Sequence, residues 1–345
     1  MAAPGCENSG TTGALLVSEH HHACVDSGRK PRPVSIMPTT PDTPSSPSDV
    51  ALRLLRSPVG RILAFYAMLI VFRMIGGYLW RALGQPPGFI PFSDTTPLME
   101  CLRLWPIVLA YGLLVLCVER RRIDELAPRK ALPHLALGLV GGAACFSLVV
   151  GTLWALGVYV VDGVNHDVAW LGPILVMGVG AGIGEEIVSR GVLFRIVEEG
   201  LGTGAALVVS SAVFGGLHLW NPNATAWSAL AIALEAGLLF GLLYHVTRSL
   251  WACMGAHAAW NVAQGPFYGV PVSGFEQHGL LASHMQGPTW LTGGAFGAEA
   301  SVVALCICSV ATSVCLAVAV RRGSLVPPPW RRHGVQPDRE IADTV

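Results

Sequence analysis

Apolar and polar positions alternate along this chain on the scale of whole helices. Runs of about 20 mainly apolar residues, the length needed to cross a bilayer as a helix, occupy roughly 59–80, 99–118, 134–161, 168–197, 204–220, 226–246, 249–265 and 298–320. Short polar stretches separate them. The pattern predicts an all-α polytopic membrane bundle of about eight transmembrane helices, with no convincing strand. Three parts follow: a disordered tail over 1–57, a membrane helical domain over 58–321, and a short tail over 322–345. The first part is rich in Pro, Ser and Thr, as in PRPVSIMPTTPDTPSSPSD, and offers little that could form a core.

Composition agrees. Of 345 residues 52% are hydrophobic and 13% charged, against about 25% charged in an ordinary soluble domain. Net charge is zero, and nothing points to nucleic acid. The basic residues are unevenly placed. Arg53, Arg56 and Arg61 precede the first span, ERRRIDELAPRK (119–130) joins the second to the third, HVTRS (245–249) joins the sixth to the seventh, and RRGSLVPPPWRR (321–332) follows the last. VDGVNHD (161–167), WNPNATA (220–226) and the 266–297 loop carry almost no Lys or Arg. By the positive-inside rule both termini are expected in the cytoplasm, in a multi-pass protein of the cell membrane. The nine cysteines have neither zinc nor disulfide spacing and read as small packing residues.

Against this background the octet GEEIVSRG (184–191) stands out. An unpaired charge at mid-bilayer costs about 2.5–3.5 kcal/mol on insertion scales, so ionisable groups there face the bundle interior, pair, or line a polar cavity. Glu186 and Arg190 are four apart and share a helix face; Glu185 lies about 100° around the helix from Glu186. Phe214 and His218 are four apart in the fifth span, and His257 and Asn261 four apart in the seventh. Each pair alone has a plain reading: an ion pair that orders the bundle, an interfacial histidine, hydrogen bonds between helices. Together their chemistry is complementary. A carboxylate can take a proton from water, a histidine can orient that water, and a second histidine with an asparagine can donate to an oxyanion. Glu185, His218 and His257 could instead hold zinc with an open position. A straight-helix count puts Glu185 and His218 at similar heights above the inner ends of their spans, about 18 and 21 Å, and His257 lower, at about 12 Å. Glu235 in the sixth span is expected to play a structural part, against His245 or Arg248, and Arg73 in the first to snorkel or pair.

These segments resemble the CPBP family of intramembrane proteases, which includes type II CAAX prenyl endopeptidases and bacteriocin-processing proteins. The pattern EExxxR is met by Glu185, Glu186 and Arg190, FxxxH by Phe214 and His218, and HxxxN by His257 and Asn261, in order and over about 168–264. Many members carry an aromatic residue where this chain has Ser189. The resemblance implies an endopeptidase acting within the bilayer on membrane-associated peptide or protein substrates, among which some members take prenylated CAAX-like ones. It also implies Glu185 with His218 as the water-activating pair, His257 with Asn261 at the oxyanion, and Glu186 with Arg190 in support. Members are described both as metalloproteases and as metal-free glutamate proteases. No HExxH is present, so zinc and no cofactor both stay open. The rivals are a proton-coupled transporter or channel, whose relays use the same residue types, and an inactive scaffold of the same fold.

Overall fold

The computed structural model describes residues 47–84 and 95–332. The expected tail therefore lies largely outside the described residues, as does 333–345. Its last part is helical: α1 (Pro47–Arg56) places Asp49 in its first turn and Arg53 and Arg56 in its last, each sign matching the helix dipole. Ser57 then caps α2 (Pro58–Ala82), accepting the Gly60 N–H at 3.1 Å.

The other main elements are α3 (Pro97–Val118), α4 (Pro128–Ala155), α5 (Leu171–Leu201), α6 (Thr203–Trp220), α7 (Ala226–Thr247), α8 (Leu250–Val262) and α9 (Val302–Arg321). Seven helices, α2 to α7 and α9, are long and apolar enough to cross a membrane. The chain is thus an all-α polytopic bundle, and the count of such helices among the described residues is seven rather than eight. The difference is α8. It extends through a π-type turn, Ala263–Phe267, and carries His257, Trp260, Asn261 and Gln264, all buried. A helix wrapped in protein satisfies its polar groups on its neighbours, so it need not be apolar throughout.

One segment expected to be helix and loop is strand. Helix α4 stops at Ala155, Gly157 turns the chain with a positive φ, and β1 (Tyr159–Val164) pairs antiparallel with β2 (Leu281–Met285). Tyr159 and Val161 sit opposite Met285 and Ser283, and the register shifts between Val161 and Gly163. Strands this short cannot be told from helix ends by hydropathy alone. The ribbon anchors the 268–300 loop over the bundle. Both the Tyr159 and Ser283 hydroxyls donate to the Tyr268 carbonyl, each at 2.7 Å.

Small residues set the packing around α8. A side chain on Gly142 of α4 would collide with the Ala256 backbone, and a Cβ on Gly182 of α5 would lie 3.0 Å from the Met254 carbonyl. Helix α8 is therefore gripped between α4 and α5 at near-backbone contact, the use of glycine expected between membrane helices.

The end of the bundle that carries the basic residues is tied by ion pairs. Glu119, after α3, takes Arg61 of α2 at 3.2 Å, Arg121 at 2.8 Å and Arg195 of α5 at 2.8 Å. Arg121 also reaches Glu125 at 2.7 Å, and the Tyr111 hydroxyl donates to the same carboxylate. Several of these basic residues thus join helices by ion pairs.

Candidate active site

The glutamate motif sits where α5 leaves regular geometry. The helix is π-type over Ile174–Gly180 and again over Ile187–Phe194, with α-helical turns over Ala181–Glu186 between. Such insertions occur often at functional sites. Here they flank the two glutamates and send them in different directions.

Glu186 points into the bundle. Its Oε1 accepts from Arg190 Nη1 at 2.9 Å and from His257 Nδ1 at 2.8 Å. The ion pair is buried, at 0% and 1% side-chain exposure. Arg190 Nη2 donates to the Ala236 and Gly237 carbonyls of α7, at 2.9 and 3.2 Å. Its guanidinium lies 4.6 Å from the Phe214 ring centroid and 5.4 Å from that of Phe240. One arginine thus joins α5, α6 and α7, while Glu186 joins α5 to α8.

Glu185 turns the other way, with its side chain 41% exposed on a cavity of about 470 Å³. Its Oε2 has no hydrogen-bond partner and lies 4.0 Å from His257 Nε2. His218, Asn261 and His257 line the same cavity. The six residues singled out by the sequence therefore divide into two layers: Glu185, His218, His257 and Asn261 on the cavity, with Glu186 and Arg190 behind them.

Hydrogen bonds fix which ring nitrogens are free. His218 Nδ1 lies 2.8 Å from the Phe214 carbonyl. A carbonyl only accepts, so Nδ1 carries the proton and Nε2 is left to act. His257 Nδ1 likewise donates to Glu186, leaving Nε2 toward Glu185. Asn261 Nδ2 spends one N–H on the Met177 carbonyl at 2.9 Å, which pins α8 to α5 and leaves a second N–H. The phenylalanine of FxxxH has a physical role too: the Phe214 ring packs against His218, tilted at 51° with 4.8 Å between centroids, and lies under Arg190.

The straight-helix height count, which set His257 apart, does not describe this site. Helix α5 runs on to Leu201, and π-type turns place more residues in each turn than the count allows.

A histidine whose second nitrogen is held by a carbonyl or a carboxylate is well prepared to bind a metal. Among the described residues, however, no three His, Cys, Asp or Glu side chains come together in a group that could hold one. The trio Glu185, His218 and His257 does not form a metal cage in this geometry.

Two site neighbours gave no signal in the sequence: Arg103 and Glu100 of α3 line the cavity, 3.4 Å apart. Arg73 of α2, expected to snorkel or pair, lines it too. Glu235 takes neither partner expected for it. His245 and Arg248 both bind Glu198, the former at 2.6 Å, and Glu235 is buried with its Oε2 unpartnered.

With this geometry in place, comparison with known families is informative. Residues 167–263 match the family model described as type II CAAX prenyl endopeptidase Rce1-like. The match takes in all of α5 to α8 and leaves α1 to α4, β1, β2 and α9 outside it. Over this segment, less than half of the chain, the protein is similar to type II CAAX prenyl endopeptidases. Comparison with curated proteins gives no match.

Proposed function

We propose that this chain is an intramembrane endopeptidase that hydrolyses peptide bonds of membrane-associated, prenylated CAAX-like substrates with a water activated by Glu185 and His218. The observation that carries the reading is the division between the two glutamates. Glu186 is buried, with Oε1 held by Arg190 and His257, while the Glu185 side chain is 41% exposed on the cavity that holds His218, His257 and Asn261 and has no ion-pair partner as close.

The chemistry follows from which atoms are free. Glu185 accepts a proton from water as the water oxygen attacks the scissile carbonyl carbon. His218 Nε2, its ring fixed by the Phe214 carbonyl, accepts the second water hydrogen and aims the attack. The carbonyl oxygen becomes an oxyanion. The free N–H of Asn261 donates to it, and so does His257 Nε2 when the ring is protonated; with Nδ1–H committed to Glu186, only the imidazolium can donate from both nitrogens. Glu185 then passes its proton to the leaving nitrogen, the C–N bond breaks to release an amine and a carboxylic acid, and the acid's remaining proton passes to His218 Nε2 and from there to solvent.

On another face of α8 lies an apolar groove of about 660 Å³, lined by residues such as Leu139, Ile174, Val262 and Phe267. It supports a substrate that brings an apolar chain. The test is cleavage of a farnesylated peptide by purified protein in lipid nanodiscs. Glu185→Gln keeps the shape and removes the base; it should abolish cleavage with unchanged melting. A Glu185→Gln protein as active as the parent would refute the assignment, and a parent that cleaves nothing but moves protons or solutes in vesicles would favour a transporter.

A further inference from the structure

Behind the histidines is a second, smaller cavity of about 30 Å³, which Glu235 and Glu299 line together with His218, His257 and Asn261. A water needs about 10–15 Å³ of such space, so there is room for one or two. The two carboxylates are buried and unequally served. Glu299 Oε1 accepts the Ser273 backbone N–H. Glu235 Oε2 is buried without a partner. Arg190 reaches the neighbouring Ala236 and Gly237 carbonyls rather than this carboxylate. An isolated buried carboxylate is costly, and two close together do not both ionise.

We propose that Glu235 and Glu299 form a buried acid pair that shares one proton through a water in this cavity, with the proton on Glu235 and the charge on Glu299, and that this charge is a positioning element for the His257 ring. The asymmetry follows from the hydrogen bonds: an N–H donor favours the ionised form of its acceptor, and only Glu299 has one. Neutral Glu235 can instead donate to the water.

Burial pushes the Glu299 carboxyl up to about 7 against the hydrogen bonds from Ser273 and Gln264 and the charge of His257, so Glu299 becomes charged as pH rises through that value. The groups facing the pair from the surrounding elements are His257 and Gln264 of α8, His218 of α6, Cys145 of α4, Cys308 of α9 and Ser273 of the capping loop. None is a fixed cation. The loop is held in place by Gln264 Nε2, which donates to the Pro271 carbonyl at 2.5 Å, and by Trp227 Nε1, which donates to the Ala300 carbonyl at 2.8 Å.

The test is infrared spectroscopy of the purified full chain at pH 8, in ordinary and in heavy water. A protonated-carboxyl C=O band that shifts in heavy water should be present in the parent, retained in Glu299→Gln and lost in Glu235→Gln. This part needs no activity, so it stands apart from the protease reading. The role toward His257 rests on that reading and is tested by kcat against pH on the farnesylated peptide. The parent should gain roughly tenfold from pH 6 to 8, as expected for one group titrating near the middle of the range, at constant KM. Glu299→Gln should lose most of that dependence and melt normally. A band that survives in Glu235→Gln, or a parent pH profile in Glu299→Gln, would overturn the proposal. Should Glu235→Gln fail to accumulate, the Glu299→Gln profile alone decides.

Discussion

Replacing Arg190 with Ala is the most exacting test of the layer behind the cavity. The change leaves Glu186 buried with only His257 beside it, opens two α7 carbonyls, and removes a cation from the faces of Phe214 and Phe240. Breaking a buried pair by deleting one partner costs about 3–5 kcal/mol, and each buried carbonyl left unsatisfied costs about 1–3 kcal/mol. These overlap, because Glu186 can take up a proton and water can enter, so about 4–6 kcal/mol is a fair total. That is a large part of the ~5–15 kcal/mol by which a domain is ordinarily stable. Arg190→Ala should therefore accumulate poorly, and its detergent-solubilised form should melt well below the parent in fluorescence-detected size exclusion. The double change Arg190→Ala with Glu186→Gln should recover part of the loss, because it removes the stranded charge; such non-additivity marks a direct pair. Arg190→Lys should fall between, since an ammonium can meet Glu186 but lacks the fork for Ala236 and Gly237. A parent-like melting curve for Arg190→Ala would refute the reasoning and move Arg190 from scaffold to chemistry.

Other expectations are more local. Asn261→Ala should slow cleavage about 10²–10³-fold, the range for one oxyanion donor, as read from kcat on the same peptide. His218→Ala combined with Glu185→Gln should be little worse than either alone, as for groups that act as a unit. Burial alone would raise Glu125, but the hydrogen bonds from Arg121 and Tyr111 outweigh it and hold its carboxyl below the usual range. Its contribution to stability is thus present above the unfolded value and lost as pH falls through the lower folded one; Glu125→Gln should flatten the acid side of a melting-temperature profile. Reporter fusions near residues 125 and 280 should report opposite sides of the membrane, and the same side at both would refute the eight-crossing orientation.

Much of this was legible in the linear chain because it depends on local periodicity. An apolar run of about 20 residues is a span whatever it packs against, so each of α2 to α9 could be drawn from hydropathy. The pairs Glu186–Arg190, Phe214–His218 and His257–Asn261 lie four apart, and the helix itself puts such residues on one face. For that reason the six candidate site residues could be named and Glu186 given to Arg190.

What the sequence could not determine are the contacts made between helices. That His257 binds Glu186, that Asn261 spends an N–H on Met177, that Glu198 rather than Glu235 takes His245 and Arg248, and that Glu299 arrives beside Glu235 from the end of a long loop all depend on how each helix is rotated against its neighbours. That rotation is set by π-type turns and by glycines such as Gly142 and Gly182, where packing rather than periodicity decides. The strand β1 was hidden for the same reason, since its pairing partner lies more than a hundred residues away. The sequence by itself determined a membrane bundle with three motif pairs at helical spacing, each carrying at least one ionisable side chain. Only the tertiary structure decided which glutamate faces the cavity, because burial in the bundle interior is a property of several helices at once and of no one of them alone.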